Sequence, residues 1–164
     1  MKRLTVYILS LSILLLSNLP AAFGQTQKKI FKTKYTFIHY DDDKDMDEFV
    51  WRLGGGKFEF FSDVSLASSR IDRIVDKVMA ILGMWTKAPR IDIFLYRGVL
   101  EANKAAFYDN KTKAIHISVE NSSDGVFAHE VAHVVINQYF VTPPPSRTQE
   151  ILTQYVDKYL WSDY

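Results

Sequence analysis

The sequence predicts an α+β fold, in which a small mixed sheet and several helices form a single domain. Short alternating stretches rich in β-forming residues are interleaved with stretches of helical periodicity. Two helical stretches then follow each other at the C-terminal end, separated only by a proline-rich turn. A length of 164 residues is room for one domain with its own core. Together these three observations predict the class.

The N-terminal stretch is typical of a secretory signal peptide. Two basic residues precede the apolar run "LTVYILSLSILLLSNL", which is too short to span a membrane comfortably. Small residues at Ala22 and Gly24 predict cleavage between Gly24 and Gln25. We therefore expect a signal peptide over 1–24, one mature domain over 25–164, no stable membrane span after cleavage, and a periplasmic or extracellular location. An uncleaved signal anchor is the alternative.

Charge and cysteine content exclude two classes of protein. The formal net charge is +1, and it becomes −1 once the two basic residues of the signal peptide are removed. Such a balance argues against a nucleic-acid partner, which would require an excess of phosphate-binding cations. The chain contains no cysteine, so no disulfide can stabilise an exported domain. Packing, helped by a metal ion, has to supply its stability.

The first half of the domain is predicted to alternate strands and helices. Residues 25–32 indicate a polar lead-in, whereas 33–40 alternate and are rich in β-formers, which predicts a strand. Residues 46–53 predict a short helix that ends at a run of three glycines. A second strand is predicted over 57–61.

The middle of the chain contains the clearest helical period. Apolar residues recur at helical spacing from a cap at Ser62 or Asp63 to about residue 84. The sequence then predicts a strand over 90–96 and one or two helical turns over 98–106. The long periodic helix is expected to form much of the core.

The C-terminal third predicts a strand pair followed by two helices. Residues 107–120 indicate a hairpin turned at "DNK". A helix is predicted over 124–140, with Ser123 or Asp124 as its cap. The stretch "TPPPS" ends it, and a last helix is predicted over 147–162. Because the connection is short and stiff, the two helices have to pack close together.

The stretch "HEVAH" on the first of these helices predicts a zinc site. His129 and His133 are four residues apart, which places them about 40° apart around a helix and about 6 Å apart along it. Two imidazoles at this spacing can reach one ion at about 2.0–2.1 Å. Glu130 is rotated about 100° from His129, so it is poorly placed to be a ligand but can reach a water held beside the ion.

A carboxylate such as Glu130 needs a metal ion beside it to generate hydroxide from water. Bulk water has a pKa near 15.7, and a water on zinc titrates near 7, which corresponds to roughly 12 kcal/mol of help in forming hydroxide. A carboxylate alone cannot supply that. The alternative is an ordinary amphipathic helix that carries two satisfied histidines. We expect one zinc ion per chain.

A third ligand has to come from further along the chain. The metzincin class would place a glycine where Ile136 stands and a third histidine where Tyr139 stands, so that class is excluded. The remaining carboxylates are Glu150, Asp157 and Asp163. Glu150 is the best placed, because it begins the last helix directly after the proline turn.

The C-terminal stretch "FAHEVAHVVINQYF…PPPSRTQEILTQYVDKYL" resembles the gluzincin peptidases, the thermolysin-like clan of minimal size. Their ligand glutamate often stands in a W-x-x-E-G-x-A-x-Y pattern. Glu150 matches the ligand and Tyr155 matches the tyrosine, whereas Ile151 and Thr153 depart from the usual glycine and alanine. The resemblance covers about residues 66–160 and implies a zincin-like fold.

The resemblance also implies the roles of the site residues. The zinc ligands would be His129, His133 and Glu150, and Glu130 would act as general base and then as proton donor. A peptide or protein substrate is implied, extended along an edge strand that lines the cleft. That strand is expected over 113–120.

Two departures from the family pattern affect the expected site. Where the family has an aspartate that orients the first histidine, this chain has Gln154, whose amide oxygen could accept from the ring with less charge. No residue is clearly marked to stabilise the oxyanion, although Tyr155 has a place in the pattern. His116 is expected to be structural. The further oxyanion candidates are Tyr139, Tyr159 and His39.

Two functional hypotheses follow. The first is an exported zinc metallopeptidase that hydrolyses peptide bonds. The second is a catalytically weak or inactive zinc-stabilised module that binds an extended peptide. Glu130 favours the enzyme, because a purely structural zinc site fills its fourth position with protein and needs no base.

Overall fold

The computed structural model describes residues 28–54, 56, 60, 62–85 and 89–162. The predicted signal peptide, its cleavage site and most of the predicted strand 57–61 lie outside these residues. Within the described part of the chain, no helix combines the length and apolar character needed to cross a membrane.

Over the described residues the sheet has five strands and is mixed, which confirms the expected α+β class with a small mixed sheet. The three central strands are parallel to one another, and an antiparallel strand pairs with each outer side. The strand order is β1-β2-β3-β5-β4. The strands are β1 (Lys29–Lys32), β2 (Thr36–Tyr40), β3 (Ile91–Tyr96), β4 (Ala106–Asp109) and β5 (Ala114–Ser118).

Strand β1 corrects the expectation of a polar lead-in over 25–32. Lys29–Lys32 pair antiparallel with β2 through a tight turn in which the hydroxyl of Thr33 accepts the backbone N–H of Thr36 at 3.0 Å. Phe31 packs edge-on against Phe60, with 4.9 Å between ring centroids. One partly buried ring and a local turn therefore accompany the formation of an edge strand from a segment in which two of four residues are lysine.

The edge strand expected over 113–120 is also corrected. The predicted strand pair forms, but β5 lies inside the sheet between β3 and β4, and β4 forms the edge. The turn between them is tight: the N–H of Lys113 donates to the carbonyl of Asp109 at 2.8 Å. Since this hairpin folds β4 onto the outer side of β5, β4 is the strand available to a partner at this edge of the sheet, opposite the edge formed by β1.

In the part of the chain that the structure describes, four α-helices accompany the sheet. Side-chain caps define where three of them begin. Asp42, Asp63 and Ser123 accept backbone N–H groups of the first turns of α1, α2 and α3. The Asp42 cap starts the first helix three residues before the predicted position. The helices are α1 (Asp43–Leu53), α2 (Val64–Leu82), α3 (Asp124–Tyr139) and α4 (Ser146–Tyr159).

The segment before β4 departs from the prediction of helical turns over 98–106. Only a three-residue 3-10 turn forms, at Glu101–Asn103. Ala102 and Asn103 both have left-handed backbone conformations, with φ of 55° and 56°. Such conformations cost non-glycine residues about 1–2 kcal/mol each and are typical of segments next to functional sites. This segment delivers Lys104 to the start of β4.

The two faces of the sheet are different. One face is fully buried against the helices, through residues such as Ile38, Ile93 and Ile117. The other carries a row of stacked rings that crosses four strands in register, with centroids 4.4–5.4 Å apart. The row consists of His39, Phe94, His116 and Phe107.

Helix α3 lies between the sheet and α4, and it contacts β4, β5 and α2 as well. Most of its apolar residues are completely buried, among them Val131, Val134 and Val135. Helix α4 is more exposed and packs through Thr153, Val156 and Leu160. The cleft between β4, α3 and α4 contains the predicted site.

Candidate metal centre

Helix α3 directs both histidines into the cleft, because burial of its apolar side chains determines how the helix is rotated about its axis. Phe127, Val131 and Val134 are fully buried, which leaves one stripe of the helix facing the cleft. His129 and His133 lie on that stripe, with ring centroids 5.2 Å apart and planes inclined by 70°. The side chains of both histidines are partly accessible, at 26% and 14% of their surface.

Helix α4 brings Glu150 to the same point. Its Oε1 lies 3.4 Å from Nε2 of His133, and its Oε2 lies 3.7 Å from Nε2 of His129. One ligand atom from each of the three residues lies within 4.8 Å of the other two. Two ligands at about 2.1 Å from a tetrahedral ion are about 3.4 Å apart. The three residues could therefore hold a metal ion, and the two distances to Glu150 are close to this spacing.

The Nδ1 atom of His129 is held by α4 as well. Its N–H donates to Oδ2 of Asp157 at 2.9 Å. Asp157 follows Glu150 by seven residues, which is two helical turns, so both side chains project from the same face of α4. A carboxylate on Nδ1 leaves Nε2 free to bind a metal and makes the ring a stronger ligand.

The Nδ1 atom of His133 faces a neutral partner. Oε1 of Gln149 lies 3.4 Å away and also accepts Nδ2 of Asn137 at 2.8 Å. Nε2 of Gln149 donates to the carbonyl of Pro144 at 2.9 Å, which ties this contact to the proline turn. Burial lowers the pKa of His133, and this favours the neutral ring that a metal requires.

Glu130 lies beside the histidines and is nearly buried, with 8% of its surface exposed. Burial raises the pKa of its carboxyl, although His129, a hydrogen bond from the backbone N–H of Tyr108, and Lys104 oppose the shift. The ring of Tyr108 lies parallel to that of His133 at 6.4 Å. Strand β4 thus orients the carboxylate and covers one histidine.

The cleft continues on both sides of Glu130 as two cavities of about 370 and 440 Å³. Lys104, Ala106 and Glu130 line both of them. The smaller cavity, here called the polar half, is also lined by His133, Asn110, Asn137 and Gln149. The larger one, the apolar half, is also lined by His129, Gly125, Val126, Leu160 and Trp161.

The structure gives to Asp157 the contact that the family pattern assigned to Gln154. Gln154 is exposed on α4, whereas Asp157 accepts the His129 ring N–H. Tyr155 is 49% exposed and packs on Tyr159, with 4.5 Å between ring centroids. It is rotated about 140° around α4 from Glu150, away from the histidines.

The other sequence candidates also lie away from the cleft lining. His39 belongs to the stacked row and contacts Asp92 at 3.0 Å. Tyr139 is exposed at the end of α3 and packs on Phe140. His116 has both ring faces covered by Phe94 and Phe107. Neither they nor Tyr155 and Tyr159 are among the residues that line the two cavities.

Sequence reasoning missed three contributors to this site. Gln149 supports His133, the Tyr108 amide binds Glu130, and Lys104 lines both cavities. Asp157 was considered only as a ligand, although its spacing of seven from Glu150 could have indicated a shared helix face. A backbone amide and a loop lysine leave no comparable signal in a sequence.

Comparisons of this chain with known protein families, with curated proteins and with solved structures found no match. Function is therefore inferred from the geometry and chemistry of the site alone.

Proposed function

We propose that this protein is a zinc-dependent peptidase with a minimal zincin-like fold of the gluzincin type. The observation that carries the proposal is the convergence of His129, His133 and Glu150 beside a nearly buried carboxylate, Glu130. Three protein ligands leave one position open, which is the arrangement of catalytic zinc sites rather than of structural ones. One zinc ion per chain would be held by these three residues.

When bound, zinc would supply Lewis acidity, which polarises a peptide carbonyl and lowers the pKa of a neighbouring water. The protein residues around it determine how that acidity is used. Asp157 and Gln149 hold the histidine rings so that both Nε2 atoms face Glu150. Glu130 remains outside this group and is available for proton transfer.

Glu130 would move the proton in the reaction. Its carboxylate takes a proton from water while the water oxygen forms a bond to the carbonyl carbon of the peptide. It then returns that proton to the amide nitrogen as the carbon–nitrogen bond breaks, which leaves a carboxylic acid and an amine. Burial holds the pKa of Glu130 above its usual value, which suits a group that both accepts and returns a proton.

Strand β4 is the proposed docking edge for the substrate backbone. The carbonyl of Ala105 accepts the N–H of Ser118 at 2.8 Å, so residue 105 faces into the sheet. In an antiparallel pair this direction alternates, and the polar groups of Ala106 and Tyr108 therefore face outwards. Glu130 takes the Tyr108 N–H, which leaves the Tyr108 carbonyl and both groups of Ala106 for an extended peptide.

The proposed partners follow from this site and from the sequence. The substrate is a peptide or an unfolded segment of protein, and the near-neutral net charge argues against nucleic acid. The predicted signal peptide assigns this activity to the periplasm or the extracellular space.

The test is to compare the wild-type protein with Glu130→Gln. Both are expected to contain about one zinc per chain by elemental analysis, because Glu130 is not a ligand. Hydrolysis of an unfolded protein such as casein should fall by about 10²–10⁴-fold in the variant and should stop with a chelator in the wild type. Wild-type rates in Glu130→Gln would refute the mechanism.

The second candidate is a zinc-stabilised module that binds an extended peptide without turnover. The exposure of the α4 side chains favours it, since Glu150 and Asp157 are 49% and 42% accessible and the cleft is shallow there. The same comparison separates the two functions. A wild-type protein that contains zinc and binds casein peptides, yet hydrolyses them no faster than Glu130→Gln, would be such a module.

A further inference from the structure

We infer that the protein docks on the surface of a lipid bilayer that contains anionic phospholipids, through the turn between α3 and α4. The docking surface is centred on Tyr139, Phe140 and Val141, here called the apolar tip. These residues lie at the end of α3, and none of them lines either cavity. The inference goes beyond the proposed peptidase function and does not depend on it, because the contacts are made by a different surface.

The side chains of the apolar tip are exposed to solvent. Val141 is fully exposed, and Tyr139 and Phe140 are 49% and 38% exposed. The two rings contact each other edge-on, with 5.2 Å between their centroids. Five of the eleven exposed large hydrophobic side chains in the described part of the chain lie between residues 139 and 155. Exposed apolar residues that occur singly are normal, whereas a cluster of them marks an interaction site.

The turn that carries the tip is held in place from both sides. The N–H of Phe140 donates to the carbonyl of Ile136 at 3.3 Å. On the other side, Nε2 of Gln149 donates to the carbonyl of Pro144 at 2.9 Å. The three consecutive prolines over 143–145 limit the freedom of the backbone between these bonds. Because the tip is fixed in its exposed position, it loses little conformational entropy when it binds.

Charge around the tip favours an anionic surface. Residues 131–149 contain neither aspartate nor glutamate. The next acid along the chain, Glu150, faces the two histidines of the metal centre. Arg147 is exposed at the start of α4, directly after the turn. A cation in this position is attracted by anionic lipid headgroups, and no acid of the turn opposes the contact.

The exposed side of α4 continues this surface. Ile151 and Tyr155 are 60% and 49% exposed, and Arg147, Ile151 and Tyr155 follow one another at intervals of four residues. Lys158 lies on the same stripe, which spans about 80° of the helix, whereas the buried Val156 is rotated about 140° from Ile151. Apolar and aromatic side chains bounded by cations are typical of helices at a membrane interface.

The shape of this surface favours a lipid bilayer over a protein partner. The turn protrudes, since the whole surface of Val141 is exposed. A folded partner would have to present a cavity of complementary shape, whereas a fluid bilayer closes around any protruding apolar side chain. Tyrosine, present at the tip and on α4, is enriched at the level of the lipid headgroups. The predicted signal peptide would also carry this chain across a membrane.

Val99 provides a matched control for Val141. It is 68% exposed and follows the end of β3. The end of α3 lies beside the start of the same strand, because Nε2 of Gln138 donates to the carbonyl of Arg90 at 3.2 Å. A strand of six residues, about 20 Å long, therefore separates the control from the tip. The chain contains no cysteine, so a cysteine introduced at either position is a unique labelling site.

The first experiment labels Val141→Cys and Val99→Cys with the environment-sensitive dye nitrobenzoxadiazole, in the full-length chain. The protein is mixed with vesicles of phosphatidylcholine and phosphatidylglycerol, and the vesicle-bound fraction is recovered by flotation. We expect the label at residue 141 to shift to the blue and to be protected from iodide roughly fivefold better than the label at residue 99. Both labels are read on bound chains, so a contribution of the predicted signal peptide to binding affects them equally. Absence of the protein from the vesicles, as expected if the tip binds another protein instead, or equal protection of the two labels would overturn the inference.

The second experiment reverses one charge in the chain labelled at residue 141. Arg147→Glu places an acid in the first turn of α4, where the helix dipole favours it. The matched control is Lys44→Glu, which makes the same change in net charge at an exposed position in the first turn of α1. We expect Arg147→Glu to lower the protection from iodide by about fivefold and Lys44→Glu to leave it unchanged. Equal losses in the two variants, or equal protection of the parent in vesicles of phosphatidylcholine alone, would overturn the assignment of an anionic lipid surface.

Discussion

The two helices that form the candidate metal centre contribute in different ways. Helix α3 is buried and contains His129, Glu130 and His133 within five residues, so one helical turn determines their relative positions. Helix α4 is largely exposed and supplies Glu150, with Gln149 and Asp157 as supports. Its contribution depends on how the proline turn and three buried residues dock it. Half of the site is therefore built into one helix, whereas the other half depends on packing between two helices.

The largest loss of zinc affinity is expected from variants in the α3 half of the site. His129→Ala or His133→Ala removes one of the two proposed nitrogen ligands, and we expect zinc affinity to fall by about a thousandfold or more. The affinity is measured by competition with a chromophoric chelator. His116→Phe is the matched control, because it removes a histidine from the stacked row and keeps a ring there. Strong binding without His129 or His133 would mean that the ion is held elsewhere.

Glu150, the proposed ligand on α4, should matter less for zinc affinity than either histidine. Glu150 is half exposed, and removing it leaves both nitrogen ligands on α3. We expect Glu150→Ala to lower zinc affinity by about a hundredfold, because water can replace the lost oxygen but not its charge. Glu150→Gln should lie close to Glu150→Ala in the same competition assay. A loss as large as that of a histidine variant would show that the two halves contribute equally.

The groups that contact the Nδ1 atoms of the two histidines can also be compared. Asp157 places a charge on the His129 ring at 2.9 Å, whereas Gln149 offers His133 a neutral oxygen at 3.4 Å. Groups of this kind typically change metal affinity about 10–100-fold. We expect Asp157→Asn to weaken zinc binding by about 10-fold or more and Gln149→Met to weaken it less. The reverse order would show that the ties of Gln149 to Asn137 and Pro144 matter more than charge.

Much of the fold could be predicted from the sequence, because local patterns determine where individual helices and strands begin and end. Helix α3 begins at the predicted cap and ends within one residue of the predicted end, and β2 and β3 lie within their predicted ranges. Which strand forms the edge could not be predicted, because it depends on pairing between distant segments. The sequence pattern of the β4–β5 hairpin is the same whichever of its two strands lies at the edge of the sheet.

The same distinction between local patterns and long-range packing applies to the site. The three residues of "HEVAH" could be found because their spacing alone places them on one helix face. The choice between Gln154 and Asp157 could not be made, since both lie within about 40° of Glu150 around α4 and differ only in their distance along it. The structure pairs the start of α4 with His133 and its later turns with His129. This antiparallel packing brings the more distant residue, Asp157, to the ring.

The smallest change in zinc affinity is therefore expected from replacing Gln154. This variant tests whether Asp157, rather than Gln154, holds the His129 ring. Gln154 is exposed, and the ring N–H that it was expected to accept already donates to Asp157. We expect Gln154→Ala to change zinc affinity less than twofold, whereas Asp157→Ala should weaken it at least as much as Asp157→Asn. Both variants are measured in the same competition assay. Because the two side chains share one helix face, a large loss with Gln154→Ala would mean that α4 docks one turn further along α3 than described, and that the family pattern locates the support correctly.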